Sequence, residues 1–145
     1  MADYSHYFLG SIIVSEKDGG NYIVDGQQRL TSLTLLLVLL RNLQRASEKP
    51  VDVDELILSD HYGEKSFNLD VDERAPCMRA LFDEEVYDIT DRSESVQNLW
   101  ARYHDLEAEF DLPPEALPYF MYWLTGNVHL VKISAQSDDD AYTIF

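Results

Sequence analysis

Cationic side chains are scarce in this sequence. Eleven lysines and arginines stand against twenty-seven aspartates and glutamates, a formal net charge of −16. Nucleic-acid affinity comes largely from lysine and arginine displacing counterions from phosphates, so this chain by itself is not expected to grip DNA or RNA. Cysteine is scarcer still. Cys77 alone rules out an internal disulfide, and its setting, DERAPCMRALF, is helical and apolar, which suits a buried thiol better than a nucleophile. Long apolar runs are also missing. Leu33–Leu40 is too short to span a bilayer, which takes ~20 apolar residues. The opening MADYSHYFLG lacks the basic start and apolar stretch of a signal peptide. These absences predict a soluble, cytoplasmic protein with no membrane contact.

What is present suits one globular domain. The 145 residues suffice for a core, and 46% hydrophobic content is ordinary. The acid is unevenly spread. Residues 1–49 hold five acids and five bases, whereas residues 50–116 hold nineteen acids and five bases. Solubility is the simplest use of that excess, with an acidic docking face as the alternative. The neutral first third is where a small anion can approach.

Two strand-like runs, YFLGSIIVSE and NYIVD, flank KDGG and read as a β-hairpin. Leu9–Val14 does not alternate, as in a strand covered on both faces. Asp25 and Gln28 have the spacing of a capping box, so a helix should start at or just after Asp25. From Leu30 to Leu43 that helix is apolar nearly all round, which predicts a central, buried element. Arg41, Asn42, Gln44 and Arg45 should return it to solvent. Further on, ELIL and KSFNLDV are short strand candidates, and Pro76 opens a helix over PCMRALF. SESVQNLWARYHDLEAEF is amphipathic, with Val96, Leu99, Trp100, Tyr103, Leu106 and Phe110 at three-and-four spacing. LPPEALPYFMYWLTGN reads as a helix ending near Gly126, its Tyr119–Leu124 run as core, with a ligand groove as the lesser alternative. VHLVKI is a strand. SDDDAYTIF opens a last helix whose acids favour the dipole. Successive residues there point ~100° apart, so Asp138, Asp139 and Asp140 do not converge on a metal.

The residues between the second strand and the buried helix carry the functional question. In NYIVDGQQRLTSL a strand ends in a glycine turn and feeds a helix, whose first N–H groups and dipole make an anion site. Gly26 would let the backbone approach a ligand. Arg29 adds a planar cationic fork suited to phosphate oxygens. Gln27 and Gln28 supply amide donors and acceptors. Asp25 could hold magnesium or orient a water. Spacing alone favours a purely structural role, in which Asp25 caps, Gly26 turns and Arg29 pairs with a carboxylate. No Walker A pattern is present.

The segments Phe8-Leu9-Gly10-Ser11-Ile12 and Val24-Asp25-Gly26-Gln27-Gln28-Arg29-Leu30-Thr31-Ser32-Leu33 closely resemble the signature of the N-terminal domain of GmrSD-type modification-dependent restriction endonucleases, and VHLVKI…DDDAYTIF resembles its later strand and helix. The resemblance implies an α+β, ParB/sulfiredoxin-like core made of the N-terminal hairpin, the buried helix and a late strand and helix. That core covers residues 1–46 and 127–145, with an acidic, mainly helical insertion at 47–126. It implies a nucleoside triphosphate and Mg2+ as ligands, phosphates held by Asp25, Gly26, Gln27, Gln28 and Arg29, catalytic roles for Asp25 and Arg29, and the metal on Asp25. It also implies a role in restricting phage DNA with modified bases. Whether hydrolysis follows binding stays open.

The family's upstream arginine and tryptophan segment and its later E-x-x-N-x-R-G stretch are not in these residues, so the chain reads as a fragment of a larger protein. An HNH-nuclease domain or subunit is the implied partner. His6, His61, His104 and His129 are scattered without metal-ligand spacing, and nuclease activity is not expected of the chain alone. The alternative is a non-catalytic interaction module that docks through its acidic surface.

Overall fold

A computed structural model of the chain describes residues 6–17, 20–61, 63–68 and 72–135. In chain order its elements are β1 (Tyr7–Lys17), β2 (Gly20–Asp25), α1 (Gln27–Leu43), α2 (Asp54–Ile57), β3 (Leu58–His61), β4 (Glu64–Phe67), α3 (Ala75–Asp83), α4 (Glu94–Glu109), α5 (Leu117–Asn127) and β5 (Val128–Ala135). The fold is α+β with a mixed sheet. The helix expected over SDDDAYTIF lies outside the described residues. The chain divides into two compact units, Met1–Leu30 with Tyr119–Phe145, and Thr31–Pro118.

The first unit is built on a three-stranded sheet of order β2-β1-β5. The expected hairpin is there, β1 pairing antiparallel with β2 through Val14↔Ile23 and Ser15↔Tyr22. On its other side β1 pairs parallel with β5, from Tyr7↔Val128 to Ser15↔Ala135. A parallel neighbour needs a crossover rather than a tight turn, and most of the chain forms this one. As the central strand, β1 buries Ile13, Val14 and Ser15 in succession, which accounts for the missing alternation. Ile13 and Ala135 form a small core with Val24 and Ile133 packed against it. On α5, Met121 and Leu124 are buried, whereas Tyr119 and Tyr122 are 78% and 64% exposed. The aromatic run is therefore only partly core. Its helical period gives the buried face to Met121 and Leu124 and turns the two tyrosines outward.

In the second unit α1 is buried as its composition requires. Leu35, Val38, Leu39 and Leu40 are essentially inaccessible, as are Val53, Ile57, Cys77 and Leu99. The polar end of α1 departs from expectation. Asn42 and Gln44 do not return the helix to solvent but are buried. Asn42 Nδ2 donates to the Leu81 carbonyl at 2.9 Å and to the Tyr103 hydroxyl at 3.0 Å. Arg41 donates to the Phe82 carbonyl at 2.8 Å and to Asp54 at 2.9 Å. Leu81 and Phe82 lie in the last turn of α3, where carbonyls run out of i+4 partners, and the Leu81 carbonyl accepts the capping Glu84 N–H at 3.3 Å. The end of α1 gives both carbonyls a side-chain donor, so its polar residues add to the cap of a neighbour. Gln44 holds Val51, accepting its N–H at 2.9 Å and donating to its carbonyl.

Smaller differences have local causes. Residues 55–57 of the expected ELIL strand belong instead to the single helical turn Asp54–Ile57, started where the Asp52 carboxylate accepts the Asp54 N–H at 3.0 Å. The strand begins at Leu58. Pro76 is the second rather than the first residue of α3. The α4 helix follows its periodicity, with Ser93 as N-cap accepting from the Val96 N–H and Val96, Leu99 and Tyr103 buried. Among the described residues no helix is long and apolar enough to cross a membrane.

Candidate functional site

β2 ends at Asp25, and α1 starts two residues later. The first bond of the helical ladder runs from the Leu30 N–H to the Gly26 carbonyl, 3.0 Å. That bond makes Gly26 the N-cap. Asp25 therefore stands one residue ahead of the cap, outside the spacing of a capping box with Gln28. The chain turns at Gly26 with φ +94°, a conformation that suits glycine.

Gly26 has a second reason to lack a side chain. A Cβ there would meet Ile12 Cγ2 at 2.6 Å and the Ile12 Cα at 3.2 Å. The face opened by the missing side chain is filled by β1, so close packing on Ile12, rather than approach of a ligand from that side, explains the glycine. Gly10 makes the matching concession on β1. It has φ +124°, and the β1–β5 register shifts between Phe8 and Gly10. A Cβ at Gly10 would lie 3.1 Å from Arg29 Cζ. The guanidinium thus rests on the bulge, and its Nη1 donates to the Ser11 carbonyl at 2.7 Å. The two sequence motifs, FLGSI and DGQQR, are halves of one packing unit.

On the outer side of the turn, Val24, Asp25, Gly26, Gln27, Gln28 and Arg29 line an open cleft of about 430 Å³. All five residues singled out for phosphate and metal binding therefore border one space. Asp25, Gln27 and Gln28 are exposed and Arg29 is half-buried. Gln27 Nε2 donates back to the Ile23 carbonyl at 3.0 Å, which ties its side chain to β2. Arg29 is anchored rather than extended. One of its five N–H donors is committed to β1, which holds the charge at the base of the cleft.

Two further features belong to this unit: the first lies at the aromatic run for which a ligand groove was the lesser expectation, and the second was not foreseen from the sequence. The exposed side of α5 borders a cavity of about 530 Å³ lined by Tyr119, Phe120, Tyr122, Trp123 and Asn127. Phe120 and Trp123 are stacked there, with ring centroids 6.1 Å apart. The spacing of exposed aromatics on one helical face was the available signal. His6 and His129 are the second feature. Although remote in sequence, they are brought into direct contact, Nδ1 to Nε2 at 2.6 Å. His104 stays apart on α4, 3.4 Å from Glu107. Among the described residues no group of three or more His, Cys, Asp or Glu side chains is placed to hold a metal. In the second unit, burial pushes the Cys77 thiol from 9.0 up to about 11, consistent with a packing role rather than a nucleophilic one.

No curated protein matches the chain in sequence. A family match, by contrast, covers nearly all of it, residues 2–145, under the description GmrSD restriction endonuclease, N-terminal domain. It spans both interlocked motifs, β5 and the acidic segment between, and on that match the chain belongs to the family of GmrSD restriction endonuclease N-terminal domains.

Proposed function

We propose that the protein binds a nucleoside triphosphate, with the phosphates at the turn formed by Asp25, Gly26, Gln27, Gln28 and Arg29, within a ParB/sulfiredoxin-like core. The observation that carries this reading is the cleft at the head of α1, which combines a helix N-terminus, two exposed amides and a fixed guanidinium. Helix N-termini attract anions through their unsatisfied N–H groups and the aligned peptide dipoles. Arg29 adds a full charge whose position is set by Ser11. Asp25 is an exposed carboxylate on the same rim. A single carboxylate suits Mg2+, which keeps several waters and is bound by one or two carboxylates together with the oxygens of a phosphate chain. When bound, the ion would neutralise phosphate charge. For hydrolysis, Arg29 is the group to stabilise charge on the transferred phosphoryl, and Asp25 the group to orient a water. The biological setting is restriction of modified phage DNA, with nuclease chemistry supplied by an HNH domain or subunit.

Thermal unfolding tests the binding. A ligand that binds only the folded state at a hundred times its Kd adds ~2.7 kcal/mol. A triphosphate with Mg2+ should raise the Tm of the protein, and Arg29→Ala should abolish that rise while Arg29→Lys retains part of it. An unchanged Tm at millimolar triphosphate would overturn the reading. A second reading, docking through the acidic segment, is favoured by the charge of residues 50–116. It predicts binding to a basic partner that weakens steeply with salt and ignores nucleotide.

A further inference from the structure

Strand pairing brings together two histidines that the sequence separates by 123 positions. In the parallel β1–β5 ladder Phe8 lies opposite His129, which puts the His129 ring beside His6, the residue just ahead of β1. His6 Nδ1 and His129 Nε2 are 2.6 Å apart, and the ring centroids are 4.8 Å apart. The Phe8 ring lies 5.6 Å from the His129 ring and restricts its rotation. A hydrogen bond between two imidazole nitrogens needs one N–H and one lone pair. Each ring thus aims a metal-capable nitrogen at the same point, with a proton between them.

We propose that His6 and His129 form a two-imidazole site for a borderline divalent transition-metal ion such as zinc, with water completing the coordination. Neutral imidazole is the commonest protein ligand for such ions, whereas magnesium prefers oxygen. Tetrahedral zinc with Zn–N of ~2.0–2.1 Å sets two ligand nitrogens roughly 3.3 Å apart. The pair has to open by about 0.7 Å to admit the ion. His6 is exposed and His129 half-buried, so a rotation of the His6 side chain can provide that opening. With two protein ligands the site is open, and its affinity is below that of a closed four-ligand zinc site. This ion is chemically separate from the magnesium proposed at Asp25, which is held by oxygen.

Calorimetric titration of the protein with zinc chloride, in excess magnesium to occupy surface carboxylates, tests the site. One zinc per chain is expected. His6→Gln and His129→Gln should each weaken binding by more than the ~10–100-fold that loss of an outer-shell partner costs. Imidazole 15N resonances give a readout independent of the variants' folding: zinc should shift two of the four histidines, His6 and His129. Absence of one-to-one binding, zinc affinity unchanged in both variants, or shifts confined to His61 and His104 would each overturn the proposal.

Discussion

Gly26 and Ile12 show how one missing atom couples two strands to a helix. An alanine at position 26 would hold φ near +94° and press its Cβ within 2.6 Å of Ile12 Cγ2. Left-handed backbone costs an L-residue ~1–2 kcal/mol, and steric overlap adds to that. Gly26→Ala should therefore destabilise the protein by about 2 kcal/mol or more in urea unfolding. Part of that loss belongs to the contact and not to the backbone. In a double-mutant cycle, Ile12→Ala should recover part of it, so the two changes combine less than additively. Strict additivity would leave φ as the sole reason for the glycine. Cys77 offers a second residue-level prediction. Burial raises its folded pKa to about 11, above the ordinary thiol value of 9.0, so the neutral thiol favours the folded state. That contribution is complete below pH ~9 and lost as pH rises through the folded value. Stability should fall over this window in the natural protein and fall less in Cys77→Ala. The same thiol should resist a maleimide at pH 7.5 until urea unfolds the chain.

At the scale of elements, the buried end of α1 is the feature with most consequence for stability. Asn42 bridges the Leu81 carbonyl and the Tyr103 hydroxyl, so it joins α1 to both α3 and α4. Asn42→Ala leaves two buried polar groups without that partner and should cost about 2–3 kcal/mol, whereas Tyr103→Phe alone should cost ~1 kcal/mol. The coupling energy from the double mutant checks that they share one bond. Ser15 is the counter-case. Its hydroxyl is buried with no hydrogen-bond partner among the described residues, so Ser15→Ala should be neutral or mildly stabilising by the same measurement.

These cases also show what kind of information a sequence carries. The hairpin, the buried helix and the amphipathic α4 were legible because each is set by residues a few positions apart. Position 26 was legible as a turn but not as a contact, since Ile12 belongs to another strand. Asn42 and Gln44 read as solvent-facing because a polar residue at a helix end usually is. The approach of the last turn of α3 makes Asn42 interior, and Gln44 is held inside by Val51. The parallel β1–β5 ladder, and with it the meeting of His6 and His129, depends on a crossover formed by most of the chain. No local pattern specifies its register. The cleft at residues 24–29 was half legible: the five residues were named, but the anchoring of Arg29 on Gly10 and Ser11 was not.

For the whole molecule, charge is the dominant asymmetry. Residues 50–116 hold nineteen acids against five bases, and several bases nearby are already committed. Arg41 pairs with Asp54 at 2.9 Å and Arg45 with Glu84 at 2.8 Å, while Arg74 donates to the Ser95 hydroxyl. Nineteen acids against five bases leave a net negative charge on the segment whose members repel one another through solvent. Such repulsion acts on the compact state more than on the expanded one, because unfolding moves the charges apart. Salt reduces it by shortening the Debye length from ~30 Å at 0.01 M to ~3 Å at 1 M. The Tm should therefore rise with sodium chloride, by about 2–8 °C for each kcal/mol of repulsion relieved. Potassium chloride should act equally, since screening depends on ionic strength and not on the ion. A rise confined to sulfate or phosphate would instead indicate an anion held at the turn or general exclusion of such salts from the surface. Replacing Glu84 with glutamine separates these causes further. It removes one acid but also the partner of Arg45, so at low salt its effect is the difference between relieved repulsion and a lost ion pair. Glu94→Gln, at the first turn of α4, removes instead a charge that favours the helix dipole. Asp105→Asn, exposed in the body of α4, changes net charge with neither complication. If self-repulsion governs the molecule, Asp105→Asn should raise the low-salt Tm and flatten its rise with salt, and a variant that melts like the natural protein at both ionic strengths would show that the acid excess is stabilised by contacts rather than tolerated for solubility.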